Sequence, residues 1–244
     1  MGRSFFFRLA VINLQRNKRL VMPFFIALVI MVSAYLMVNA ILYTDGITNV
    51  PGGQGIRDIF GLGSIIMSLV VVIFMFYINS FLIKNRKKEF GLYGVLGLEK
   101  HHVGRVIFLE NLLVFTGALL LGMLAGAVFG RLIFMLLLFA LKAVADGSIF
   151  KLPAEAFLYT GLLFGIIFLL ITFYNQFQVR LANPVDLLKG EQVGESRVRF
   201  TVPATLLGLF MLGLAYWKAL TVNSSITALK DFFRAVILVI PATV

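Results

Sequence analysis

Long stretches without a charged side chain govern what this chain can become. Residues 20–43, 59–83, 111–130 and 156–179 carry none, and after Arg131 the apolar run resumes to residue 141. A fifth stretch, 200–217, is shorter, and a sixth, 235–244, begins like the others and stops. A helix needs roughly 20 apolar residues to cross the hydrocarbon core of a bilayer. Lipid offers no hydrogen-bond partner to backbone N–H and C=O groups, so each crossing segment must satisfy its own. The runs are too long and too uniformly apolar for barrel strands, which alternate. The expected fold is therefore all-α: a polytopic transmembrane helix bundle of six hydrophobic segments, the last incomplete. A span that starts without finishing implies the N-terminal piece of a longer protein.

Charge supports this reading and orients it. Only 14% of the 244 residues are charged and 60% are hydrophobic, where a soluble domain carries about 25% charged residues. There is no cysteine, which removes disulfides and thiolate metal sites. The net charge of +11 could suit nucleic acid. The basic residues instead cluster at the ends of apolar runs, so no nucleic-acid partner is expected. Arg3, Arg8, Arg16, Lys18 and Arg19 precede the first run; Lys84, Arg86, Lys87, Lys88, Lys100 and Arg105 follow the second; Arg180, Lys189, Arg197 and Arg199 follow the fourth. The alternate loops are poorer, with Arg57 in one and Lys142 and Lys151 in the other, although residues 218–234 break the pattern with Lys218, Lys230 and Arg234. The positive-inside rule places the N-terminus in the cytoplasm of a multi-pass plasma-membrane protein. The first run is longer than a signal-peptide core, so that helix is expected to be retained.

Residues 1–19 interleave Phe5, Phe6, Phe7, Leu9, Val11, Ile12 and Leu14 with Arg3, Arg8 and Arg16. This pattern predicts an amphipathic lead-in helix lying in the membrane interface. The spans at 20–179 should form a four-helix domain, 180–199 a cytoplasmic linker, and 200–244 the fifth and incomplete sixth spans. Gly122, Gly126 and Gly130 recur on one helix face, where small residues let backbones approach closely in lipid. They are expected to serve helix packing within the chain, or to form a face that slides during a working cycle. Arg131 is expected to snorkel at the outer interface. Asn39, Asn79, Asn111 and Asn175 should each bond a neighbouring helix. Tyr43, Tyr77, Tyr159, Tyr174 and Trp217 suit interfacial belts.

The segment 84–111 is the most informative. A basic cluster, by itself an anchor for anionic headgroups, leads into apolar residues interrupted by Gly91, Gly94 and Gly97. Gly97 suits a left-handed helix cap and Glu99 the start of the next helix. A short, partly amphipathic helix is expected here, at residues 84–105, placed to dock on a soluble partner. No phosphate loop of the form G-x-x-x-x-G-K-[ST] occurs, nor H-E-x-x-H, paired carboxylates or a nucleophile elbow. Neighbouring His101 and His102 point about 100° apart on a helix and read as a solvated pair. The chain is not expected to be an enzyme or to hold a metal or cofactor.

Glu89-Phe-Gly-Leu-Tyr-Gly-Val-Leu-Gly97, following a basic run and preceding a span that opens with Glu110-Asn111-Leu112, resembles the signature of FtsX-like ABC permeases. The resemblance covers roughly residues 55–190. The tail Asn183-Pro-Val-Asp-Leu-Leu-Lys-Gly-Glu191 is similar to the bacitracin-resistance branch, whose members carry ten spans and a large outer domain. The short loop at 44–58 departs from branches that insert an outer domain there. The resemblance implies a permease subunit that does not hydrolyse ATP, moved by a separate ATP-binding ABC subunit, expected as a homodimer. It implies docking through Arg86, Lys87, Lys88, Glu89, Phe90, Gly91, Leu92, Gly94 and Gly97. It also implies export of antimicrobial peptides, or release of their targets, with a membrane lipid or lipid-linked peptide as substrate. The alternative is a mechanical or signalling module acting with a sensor histidine kinase or an extracellular enzyme, without solute transport.

Overall fold

The charge-free runs of residues 20–179 form helices, and two of these, α3 and α4, run well past the ends of their runs. The computed structural model describes the backbone of residues 3–44, 53–95, 100–140 and 152–181, with 209, 210, 213, 214 and 217. Side chains are described for 5–44, 53–84, 101–140, 152–178 and the same five later residues. The order is α1 (Arg3–Arg16), α2 (Lys18–Leu42), α3 (Gly53–Val95), α4 (Lys100–Ala140) and α5 (Ala154–Leu181), with no strand among the described residues. Residues 1–192 form one compact unit and 193–244 another. In the second, Leu209, Phe210, Gly213, Leu214 and Trp217 are helical. The remainder of the expected fifth span, the sixth span and most of the 180–199 linker lie outside the described residues.

Four helices carry apolar stretches long enough to cross a membrane: Lys18–Leu42, Gly53–Lys84, His101–Ala140 and Ala154–Gln178. Their outward faces are apolar, as a lipid solvent requires. Leu124, Leu136, Phe139, Leu169 and Phe173 are all more than half exposed. Polar residues turn inward instead. Asn39, Ser64, Asn79, Glu110, Thr160 and Asn175 are buried.

The central core joins four helices: Leu28, Val32 and Tyr35 of α2, Val71 and Met75 of α3, Ala118 of α4, and Phe164, Ile167 and Ile171 of α5. A second cluster closes the outer end, where Ile41 of α2 meets Phe134 and Leu138 of α4, with Ile56 and Phe60 of α3 alongside. The α4 extension past Arg131 is therefore a packed continuation of the same helix.

The tightest seam is α2 against α4. Gly117 faces Phe25, Gly122 faces Val29 and Val32, Gly126 faces Ser33 and Leu36, and Gly130 faces Met37 and Ala40. Both sets of numbers rise together, so the two helices are parallel. Without a hydrophobic driving force between spans, such close approach is what dispersion and weak contacts need to hold them.

Two expectations change in detail. The docking segment is not a separate short helix. Residues 86–95 continue α3 without interruption to Val95, and 96–99, including the expected cap Gly97 and Glu99, lie outside the described residues. The lead-in helix does not stand apart from the bundle. Phe6 stacks on His102 and Asn13 bonds Glu110, so α1 runs alongside the first turns of α4 in the same direction. Its Phe6, Ala10 and Asn13 recur at helical spacing and are all buried, giving α1 a face that α4 satisfies better than a bilayer surface would. A single residue, Asn17, separates α1 from α2.

The glycine seam makes a graded prediction. A Cβ on Gly122 would lie 2.6 Å from Val32 Cβ, and one on Gly126 2.9 Å from the Ser33 carbonyl. Neither neighbour can swing away. Gly122→Ala and Gly126→Ala should each destabilise the bundle by about 1–3 kcal/mol. At Gly130 the nearest atoms are 3.8 Å away, and at Gly165 nothing lies within 4 Å, so alanine there should be neutral or stabilising by up to ~1 kcal/mol. Thermal unfolding of the four variants in detergent checks the order.

Candidate functional site

One level of the bundle brings together Asn13, Asn79, Glu110 and Asn175, all buried. Asn79 of α3 and Asn175 of α5 exchange two amide hydrogen bonds, of 2.7 and 3.0 Å. One residue further along α5, Gln176 Nε2 donates to the Gly104 carbonyl of α4 at 2.8 Å. That bond depends on glycine, since a Cβ at position 104 would fall on the Gln176 amide. Asn13 Nδ2 donates to Glu110 Oε1 at 3.0 Å, tying α1 to α4. Glu110 is 1% exposed. A cavity of about 30 Å³ lies between these groups, lined by Val21, Asn79, Ile83, Glu110 and Asn111 among others. It has room for about one water molecule.

The cavity fixes a common height for four helices. Val21 and Glu110 touch the same space as Asn79 and Ile83, so Arg19, Lys84 and Glu110 are close to level. Since α5 follows α3 in direction, Arg180 falls near the same height. This is where each of the four charge-free runs of residues 20–179 meets a charged residue at one end. Beyond it project α1, the last turns of α3 and the first turns of α4. At about 1.5 Å per residue, each reaches roughly 15–20 Å past that level. The bilayer's headgroup layer is only about 5–8 Å deep on each side. The three segments thus form a stalk whose far end lies clear of the lipid.

The sequence-derived docking residues map onto this stalk. Arg86, Lys87, Lys88, Glu89, Phe90, Gly91, Leu92 and Gly94 lie on the final turns of α3, with their side chains outside the described residues, as is Gly97 altogether. Gly122, Gly126 and Gly130 are elsewhere, in the α2–α4 seam described above. His101 and His102 sit at the start of α4 with ring centroids 3.8 Å apart, and His102 also stacks on Phe6 at 5.4 Å. Among the described residues, no cluster of His, Cys, Asp and Glu could hold a metal ion.

The opposite end is held differently. Asn39 accepts a bond from Ser64 Oγ at 3.1 Å, and its own amide returns to the Tyr35 carbonyl at 2.8 Å. Tyr43, just past α2, stacks on Tyr159 with centroids 5.1 Å apart. Its burial, then the neighbouring Tyr159 and Tyr35, push the Tyr43 phenol above its usual range.

Of the asparagines singled out from sequence, Asn39, Asn79 and Asn175 bond across helices as expected, and Asn111 lines the cavity. Sequence reading placed Glu110 in the signature that opens a span but missed its burial and its partner. The residue reads as the charged edge of a span, yet it is among the most deeply buried side chains. The missed signal was Asn13, which supplies the amide from a helix thought to lie elsewhere.

The Asn79–Asn175 pair should behave as a unit. Asn79→Leu alone leaves an amide unsatisfied in an apolar interior and should cost about 1–2 kcal/mol. The Asn79→Leu/Asn175→Leu double variant should recover much of that loss, with a coupling energy of roughly 0.6–1.7 kcal/mol. A double-mutant cycle on unfolding in detergent measures it.

The polar level, the glycine seam and the stalk can now be set beside known proteins. The family described as FtsX-like permease C-terminal matches residues 61–184, which takes in most of α3, all of α4 and α5, and the α3 and α4 parts of the stalk but not α1. The chain is 27% identical over 238 residues to the bacitracin export permease protein BceB of Bacillus subtilis, covering 93% of this chain and 37% of that protein. It is 26% identical over 233 residues to YvcS of the same organism, an ABC transporter permease without an assigned function, covering 95% of this chain and 36% of that one. A bacitracin export permease of Halalkalibacterium halodurans is 24% identical over 237 residues. The chain therefore spans little more than a third of the length of these relatives, and it belongs to the FtsX-like permease family as a multi-pass, all-helical membrane protein.

Proposed function

We propose that this chain is the amino-terminal portion of the transmembrane subunit of an ABC transporter, worked by a separate ATP-binding subunit that docks on the stalk. The observation that carries this reading is the continuity of α3. One helix runs from Gly53 through its membrane-crossing stretch to Val95, and its last turns hold residues 89–95 of the Glu89–Gly97 motif. A partner gripping those turns holds the same rigid element that passes through the bundle core at Val71 and Met75. No phosphate loop occurs in the sequence, so in this reading ATP is bound by the partner.

The stalk end also carries the basic residues Arg8, Arg16, Lys18, Arg19, Lys84 and Arg105. By the positive-inside rule that end, with the N-terminus, faces the cytoplasm, where an ATP-binding subunit would meet it. The two bacitracin export permeases among the relatives make an antimicrobial peptide of that kind, or the lipid-linked target it seizes, the favoured substrate class.

The test uses the full-length permease with its ATP-binding subunit. A Glu89→Ala/Phe90→Ala/Leu92→Ala variant should lose co-purification and weaken the complex by about 2 kcal/mol or more, roughly thirtyfold in affinity. Permease stimulation of ATP hydrolysis should fall with it, while helix content by circular dichroism stays unchanged. Unaltered stimulation would overturn the docking assignment.

A further inference from the structure

The exposed surface of α1 poses a question that the docking motif leaves open. One face of α1, with Phe6, Ala10 and Asn13, is buried against α4. The rest leaves Phe5 and Phe7 about half exposed, at 48% and 49%. In a membrane span that exposure is ordinary, because lipid covers it. These two rings are not at a lipid level. Asn13 is tied to Glu110 and the Phe6 ring to His102, which places Phe5 and Phe7 near the far end of the stalk. That end is roughly 15–20 Å beyond the charged edge of the spans, past a headgroup layer of about 5–8 Å.

What covers them is constrained by charge and by neighbourhood. Residues 1–44 include Arg3, Arg8, Arg16, Lys18 and Arg19 and not one aspartate or glutamate. Among the described residues, Arg8 and Arg16 have no carboxylate partner, and the one acidic side chain against α1, Glu110, is taken up by Asn13. Among the described residues that surface is aromatic and cationic. It also stands beside the docking segment: α4 begins at Lys100, shortly after α3 ends at Val95, and His102 in its first turn holds Phe6.

We propose that the first turns of α1, through Phe5, Phe7 and Arg8, are a second contact for the ATP-binding subunit, taking an acidic patch with an apolar pocket on that partner. This rests on the docking reading above and adds a site to it. The N-terminal helix is then clamped on one side by α4 and on the other by the partner. Movement of the partner reaches α2 through Asn17 as well as α3 through its final turns.

The experiment is photocrosslinking in nanodiscs of the full-length permease with its ATP-binding subunit, using benzoylphenylalanine at position 7. Affinity of the subunit for a Phe5→Ala/Phe7→Ala variant and for Arg8→Glu is measured in parallel. Phe81→Ala, a ring exposed within the span of α3, is the control. The expected result is a cross-link to the ATP-binding subunit, and affinity lowered about fivefold or more in both α1 variants with the control unchanged. Cross-linking to lipid alone, or to nothing, would overturn the proposal, as would unchanged affinity in both α1 variants. The Glu89/Phe90/Leu92 variant separates the two readings. If it abolishes binding while the α1 variants do not weaken it, only the α1 contact fails. If it leaves binding intact while position 7 still cross-links to the subunit, the motif reading fails and the α1 contact stands.

Discussion

Every polar side chain inside this bundle has to find its partner within the protein, because the surrounding solvent has none to give. That constraint organises the rest. The spans meet mainly through apolar packing, which lipid tails could nearly match, so the few hydrogen bonds between helices set which faces come together. Asn79 with Asn175 fixes α3 against α5, Gln176 with the Gly104 backbone fixes α5 against α4, Asn13 with Glu110 fixes α1 against α4, and Ser64 with Asn39 fixes α3 against α2. Each link is short and sits at a definite height. Together they leave the helices little freedom to rotate about their own axes.

Between the polar links, the glycine seam brings α4 close enough to α2 that Gly122 and Gly126 sit directly against Val32, Leu36 and the Val29 and Ser33 carbonyls. The two helices also share direction, so they behave as one double-stranded element, with α3 and α5 returning beside it. This grouping bears on function. Under the proposed docking, a pull on α3 would reach the α2–α4 pair through the Val71, Met75 and Val32 packing of the central core.

Much of this was legible in the sequence because lipid imposes a simple rule. Uncharged runs of sufficient length must be helices, and the four that the structure describes are. The FtsX-like signature was readable at Glu89–Gly97 and Glu110, and the family match covers the same region. What sequence could not supply was partnership between distant residues. Asn13 and Glu110 are 97 positions apart and Asn79 and Asn175 are 96, and nothing local announces either pair. The same blindness misplaced α1. An amphipathic pattern says that one face is apolar, not whether a bilayer surface or another helix will cover it. It also divided α3 too early, since a basic cluster followed by Gly91 and Gly94 looks like a break until the helix is seen to continue through them to Val95. Helix propensity at glycine costs only about 1 kcal/mol per residue, too little to stop a long helix by itself.

The unbroken course of α3 has a mechanical consequence. The paired amides at Asn79 act as a fulcrum: the arm toward Val95 is about 24 Å long and the arm toward Gly53 about 39 Å, at 1.5 Å per residue. A rigid lever so divided reverses a sideways push and enlarges it by roughly 1.6-fold. On the longer arm one side-chain hydrogen bond, from the Ser64 hydroxyl to Asn39, joins α3 to α2, beside the apolar packing of Ile56 and Phe60. Under the proposed docking, a nudge of an ångström at the Val95 end would arrive, larger and in the opposite sense, at the other end of the helix.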